Sequence, residues 1–178
     1  MIRCSSGRTR QWATCSRPPS RGRYEFKRLE IRTALRGRPV RVIVAELQAA
    51  VADTHALLFH AAASRALGRR AAAHFDACER QQALAYVPVA VIWEISLLAR
   101  ASRVNLRRSV RDFFGDLFSN PSYHPIDLSA EQVFLADELR FTRDPFDALI
   151  VAAARSIDLP LLTRDADIRA SGTVRVIW

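Results

Sequence analysis

From Arg143 to Asp165 the chain reads RDPFDALIVAAARSIDLPLLTRD, and this stretch narrows the fold more than any other. DPFDALIVAAARS opens with Asp before Pro, a helix-start signal, and continues as a segment apolar nearly all round, which only a buried helix tolerates. LPLLT follows almost at once, an apolar run of strand length. A buried helix passing directly into a short apolar strand belongs to an α/β domain with a mainly parallel sheet and helices on both faces. Three carboxylates mark this unit: Asp144 and Asp147 at the mouth of the helix, and Asp165 where the strand should stop.

The same alternation extends upstream. VRVIVA, beginning at Val40, reads as a short strand, and AAVAD as a second candidate strand ending in Asp53. Ser64 is placed to cap a helix running through about Gln81; LAYV then reads as a strand before Pro88, and VAVIWEISLLARA as a helix. A further helix is expected over Arg108 to Phe118, followed by the turn-rich SNPSYHP. Ser129 with Gln132 makes a capping-box pattern for a helix from Ala130 to Leu139, and TVRVIW reads as the last strand. No internal repeat is visible.

A chain of 178 residues holds one domain with a sizeable core and an appendage. Hydrophobic content of 49% with 25% charged residues describes a soluble globular protein, and the longest apolar run, Ala83 to Trp93, is only 11 residues, too short to span a bilayer. The net charge of +9 is localised: residues 1–50 hold 12 of the 27 Lys/Arg and 3 of the 18 Asp/Glu, so 15 of each remain beyond them and balance. Residues 1–44, rich in Arg, Ser, Gly and Pro, therefore read as a basic, disordered or weakly ordered extension, or as an upstream stretch from a mis-assigned start with translation beginning near Val44. The acid-free beginning, up to Glu25, shares its composition with organellar transit peptides but shows neither a clear amphipathic helix nor a secretory apolar core. Cys4, Cys15 and Cys78 form no CxxC pair and are odd in number, which fits a reducing cytoplasm.

Each acid has an ordinary reading. Asp144 is a helix N-cap, and Asp147, at the third helical position, meets the favourable end of the helix dipole. Asp53 is a strand-to-helix turn, and Asp165 the cap of the short segment ADIRA. Glu94 resists such a reading, because its helical neighbours Ala90, Val91, Leu97 and Leu98 are all apolar and a lone charge there costs several kcal/mol unless paired, protonated or metal-bound; the alternative is a Glu exposed between two buried flanks. Taken together, two acids at strand ends and two in the first halves of helices following strands converge on one edge of one sheet, where open α/β folds bind ligands. Carboxylates so placed repel and raise one another's pKa values, a penalty that a divalent cation removes. All-oxygen donors suit Mg2+ or Mn2+ rather than zinc.

Other candidates are weaker. His55, His60, His74 and His124 lack metal-ligand spacing and read as surface or packing residues, although His55, beside Asp53, is placed to touch substrate. Thr54 and Thr163 stand within two residues of candidate ligands and are expected to donate hydrogen bonds to them. Trp93 reads as core, and Arg143 and Arg164 either meet phosphate or are solvated. Only 6 glycines are present, and none builds a phosphate loop.

VADTHALLF, IWEISLLAR, RDPFDALIVAAA and LPLLTRDADI, in this order, resemble the motifs of PIN-domain ribonucleases, and in particular the VapC-type toxins of bacterial toxin–antitoxin pairs. The resemblance spans residues 45–178. It implies a PIN-like three-layer α/β/α fold with Asp53, Glu94, Asp147 and Asp165 as the catalytic and metal-holding acids, while Asp144 matches the extra acid of a DPFD variant. It further implies Mg2+-dependent cleavage of RNA by a metal-activated water, a cognate antitoxin and a homodimer. The alternatives are a non-catalytic nucleic-acid- or partner-binding protein on the same scaffold, or a metal-dependent phosphohydrolase acting on small phosphoesters.

Overall fold

A computed structural model describes residues 47–178, so the basic extension and the strand expected at VRVIVA lie outside the described residues. In chain order the elements are β1 (Gln48–Ala52), α1 (Thr54–Ala61), α2 (Arg69–Glu79), β2 (Ala83–Pro88), α3 (Val89–Arg100), α4 (Val110–Ser119), β3 (Tyr123–Ile126), α5 (Ala130–Asp137), α6 (Pro145–Ser156), β4 (Leu161–Leu162), α7 (Ala166–Ser171) and β5 (Val176–Ile177). The five strands form one sheet in the order β3-β2-β1-β4-β5, with every pairing parallel. Val51 is in register with Tyr86 on one side and with Leu161 on the other.

Ala50, Val51 and Ala52 are all fully buried, as are Leu161 and Leu162. Successive strand residues point to opposite faces, so consecutive burial means that both faces of the central sheet are covered by helices, as the apolar runs predict. From α6, Ile150, Val151 and Ala154 pack into the core, meeting Phe75 and Leu57 of α2 and α1, Ile95 of α3 and Ile168 of α7 in one continuous cluster. The capping box at Ser129 is present: its hydroxyl accepts from the Gln132 amide, and the Gln132 side chain accepts from the Ser129 amide.

Four expectations need correction. Ser64 caps no helix; its hydroxyl accepts from the Ala66 amide inside a connecting turn, and the helix starts at Arg69 after an extended Gly68. Thr54–Ala61, not read as a helix, forms α1. SNPSYHP is only partly turn, because Tyr123–Ile126 is the edge strand β3, and an edge tolerates Pro125, which lacks an amide to donate. Finally, α6 follows α5 and not a strand.

Candidate active site

From β1 the chain crosses to β2, on one side of the sheet, and from β4 to β5, on the other. The gap between β1 and β4 is therefore the topological switch point, the place at the strand carboxyl ends where open parallel sheets bind ligands. Asp53 leaves β1 there and begins α1, while Thr163, Arg164 and Asp165 leave β4 beside it. The Asp53 amide donates to the Leu162 carbonyl at 3.2 Å, and the fully buried Thr163 hydroxyl donates to Asp53 Oδ2 at 2.7 Å. Asp53 is only 4% exposed.

Two more threonines serve two more acids. Thr54, the first residue of α1 and fully buried, donates to Glu94 Oε2 at 2.6 Å and so links α1 to α3. Thr142 donates to Asp147 Oδ2 at 3.2 Å across the α6 N-terminus. Asp165 Oδ1 accepts from the amides of Asp167 and Ile168, both at 2.8 Å, and Asp144 Oδ1 accepts from the Phe146 amide at 2.8 Å. Asp144 and Asp165 are thus helix caps as their ordinary readings required. Each of the four candidate ligands has one oxygen held by these contacts and one without a hydrogen-bond partner among the described residues.

The tripeptide Thr-Arg-Asp occurs twice, at 142–144 and 163–165, and folds alike both times. In each copy the threonine hydroxyl accepts from the aspartate amide two residues on, at 3.0 Å, and the aspartate caps the next helix. With its lone pair engaged, the hydroxyl turns its proton toward a neighbouring acid, Asp147 in the first copy and Asp53 in the second. Thr142 is the one site contributor the sequence reading missed. The repeated tripeptide is the signal by which it could have been found.

Electrostatically the acids behave as a group. Burial pushes the Asp147 pKa from its ordinary 3.8 up to about 6, and the charges of Asp144, Asp165 and Asp53 push the same way against the Thr142 hydrogen bond. Glu94 is raised by burial and by Asp53 and Asp144, partly offset by Thr54 and His55. Asp53 is raised by burial, with Thr163, His55 and the Thr54 amide pulling it down in part and Asp165 pushing it up. Among the described residues no Arg or His forms a salt bridge with any of these acids; the ion pairs are His60–Glu79 at 3.2 Å and Arg108–Asp116.

As placed, no three Cys, His, Asp or Glu side chains among the described residues are grouped closely enough to enclose an ion. The donor chemistry nevertheless fits a hard divalent cation: four oxygen ligands, mutually repelling, with unbonded oxygens and no salt-bridge partner among the described residues. The remaining candidates separate cleanly. His74 is buried against the Leu84 carbonyl, His60 stacks on Phe75, and His124 packs beside Tyr86, whereas His55 is exposed near Asp53 and Glu94. Cys78 is buried, and its thiol is pushed up to about 12, which leaves it unreactive. Trp93, expected in the core, is 51% exposed with the Arg100 guanidinium 4.8 Å from its ring centroid. It lies beside Glu94 on a helix whose buried stripe is Ala90, Val91 and Ile95.

An open parallel α/β domain with acids placed around its switch point is the class that fold and site define. A family model for the PIN domain matches residues 50–172, and the chain belongs to that family. Among solved structures it is similar to the VapBC2 complex of Rickettsia felis bound to a promoter DNA fragment, at 15% identity and a TM-score of 0.53, covering 72% of this chain and 97% of that one. It is also similar to a toxin–antitoxin complex from Klebsiella pneumoniae, at 20% identity and a TM-score of 0.50, covering 72% and 96%. At these identities the likeness is one of fold. No curated protein sequence matches the chain. Among the described residues no helix is long and apolar enough to cross a membrane.

Proposed function

We propose that this PIN domain is a Mg2+-dependent endoribonuclease, the VapC-type toxin of a toxin–antitoxin pair acting in the cytoplasm. The observation that carries the reading is the set of acids at the switch point, where Asp53, Glu94 and Asp147 all have raised pKa values and no Arg or His among the described residues forms a salt bridge with them. A monomeric scaffold protein gains nothing from such repulsion, whereas a site that awaits a cation requires it.

Asp53, Glu94, Asp147 and Asp165 would hold Mg2+, with Mn2+ able to substitute, and a cation bound there supplies an activated water at near-neutral pH and neutralises charge on the phosphate. The chain's own residues do the orienting. Thr163, Thr54 and Thr142 fix the rotation of Asp53, Glu94 and Asp147, and the first turn of α7 fixes Asp165. Glu94 serves either as a ligand or as the base that orients the attacking water, and Asp53, Asp147 and Asp165 serve as ligands directly or through water. Asp144 caps α6 and adds negative charge at the rim.

Both similar structures come from toxin–antitoxin systems, which supports an antitoxin partner; an arginine inserted by that partner would suit the site, because its fork pairs with two carboxylates. By family resemblance the toxin is a homodimer. The test is to incubate the protein with structured RNA, single-stranded DNA and small phosphoesters, in Mg2+, Mn2+ or chelator. Cleavage of RNA that chelator abolishes is expected. Hydrolysis of small phosphoesters alone would identify a different phosphohydrolase, and tight RNA binding without cleavage a non-catalytic binder.

A further inference from the structure

Arg164 stands between two site residues, Thr163 and Asp165, yet its guanidinium pairs with neither of the acids nearby. It lies over the Phe59 ring instead, 4.8 Å from the centroid. The ring is fixed from two sides: His55, one turn earlier on α1, is 6.2 Å away at a tilt, and Trp178 meets it edge-on at 6.4 Å. Trp178 is in turn seated against Gly68, where a Cβ would come within 2.6 Å of the Trp178 backbone. The seat, the edge-on tryptophan and the ring together hold a planar cation beside the acids without letting it neutralise them.

Resting on the nuclease reading, we propose that Arg164, backed by Phe59, is a substrate-positioning residue whose outer face stacks under the base of a nucleotide flanking the scissile phosphate of single-stranded RNA. The guanidinium carbon lies over the Phe59 ring and Arg164 itself is exposed, which leaves the planar cation accessible to a base and its N–H fork to that nucleotide's phosphate. Planar guanidinium and aromatic groups are the common platforms for unstacked bases in single-stranded RNA recognition. A lysine in the same place would keep the charge but offer no plane.

The test uses the full chain with Mn2+ and a labelled single-stranded RNA oligonucleotide that it cleaves, together with copies of that oligonucleotide made abasic at the 5′ or the 3′ neighbour of the cleavage site. Arg164→Lys and Arg164→Ala are each expected to raise KM by about tenfold, within the range of base stacking, with the smaller part of the loss on kcat. Phe59→Leu should raise KM in the same direction. On one of the two abasic substrates the wild-type KM should rise to that of the variants, and the variants should lose little more. The proposal is overturned if Arg164→Lys retains the wild-type KM, if the loss falls on kcat alone, or if the variants lose as much on both abasic substrates as on the intact one. A wild type that cleaves no RNA overturns the nuclease reading itself, which is a different result from a wild type that cleaves and variants that match it.

Discussion

Asp147→Asn should make the metal-free protein more stable at pH 8 and no more stable at pH 4.5. In the folded state Asp147 titrates at about 6, against 3.8 ordinarily. Between those values the folded protein holds a proton that the unfolded chain has released, so stability falls as pH rises through this window and stays lowered above it. At 1.36 kcal/mol per pH unit the ceiling is about 3 kcal/mol. Asp147 is only partly buried, and solvent screening reduces this to roughly 1–2 kcal/mol. Asparagine removes the repulsion and retains an oxygen for Thr142, but forfeits a helix-dipole interaction of about 0.3–1 kcal/mol. The net gain at pH 8 is therefore about 0.5–1 kcal/mol, or roughly 2–4 °C in melting temperature for a domain of this size. Thermal melts in chelator across pH 4.5–8 read it directly. A saturating cation reverses the order: at a hundredfold excess over Kd it stabilises wild type by about 2.7 kcal/mol, and the variant by less. RNA cleavage should be lost. An Asn variant that is less stable by the same margin at every pH, gains as much from Mn2+ and still cleaves would refute the reasoning, since only a cap would then have been removed.

Thr163→Val leaves the buried Asp53 without its hydroxyl donor and should destabilise by about 1–3 kcal/mol, whereas Thr142→Val, acting on the more exposed Asp147, should do less; urea melts rank the two. Gly68→Ala forces Trp178 from its seat and should lower stability by roughly 1–3 kcal/mol, while Gly115→Ala in α4, where a Cβ meets nothing within 4 Å, should raise it by up to about 1 kcal/mol, as calorimetry would show. Expression of the protein alone should arrest growth and co-expression of the small protein encoded beside it should restore growth; a soluble, active protein that never slows growth contradicts the toxin reading. A chain beginning at Val44 should retain metal-dependent cleavage at low salt, and its RNA affinity should fall less steeply with salt than that of the full chain if the basic extension binds phosphate.

Where pattern and burial agree, the fold was legible. AAVAD, LAYV and LPLLT contain the strands β1, β2 and β4, and the caps at Ser129 and Asp144 start helices as their chemistry dictates. Helix α1 escaped because THALLFHA is apolar on several sides, is only eight residues long and receives no side-chain cap from Asp53. Ser64 misled because a hydroxyl three residues into a turn looks the same in sequence as one that caps a helix. β3 was hidden by Pro125 and the turn formers around it, which only its edge position makes admissible. Trp93 was misplaced because α3 buries a narrower stripe than its composition suggests. Asp53, Asp147 and Asp165 stood out because each sits at a strand end or a helix start, and Glu94 because it is a charge within the apolar helix α3. What holds them was half legible: Thr54 and Thr163 were found because each stands beside an acid in sequence, yet they donate to acids distant in the chain, Glu94 and Asp53, which only the fold brings to them, while Thr142 was passed over.

The single unbonded oxygen on each of the four acids bears on ion choice. A carboxylate with one oxygen already engaged presents its other oxygen first, so the four acids offer four oxygens free of other bonds. That leaves a six-coordinate ion two or more places for water and phosphate, and it undersupplies Ca2+, which takes six to eight oxygens and commonly grips a carboxylate by both. The threonines that orient the acids would thereby also act as a filter, favouring small ions of octahedral habit over the larger one without any side chain that repels it.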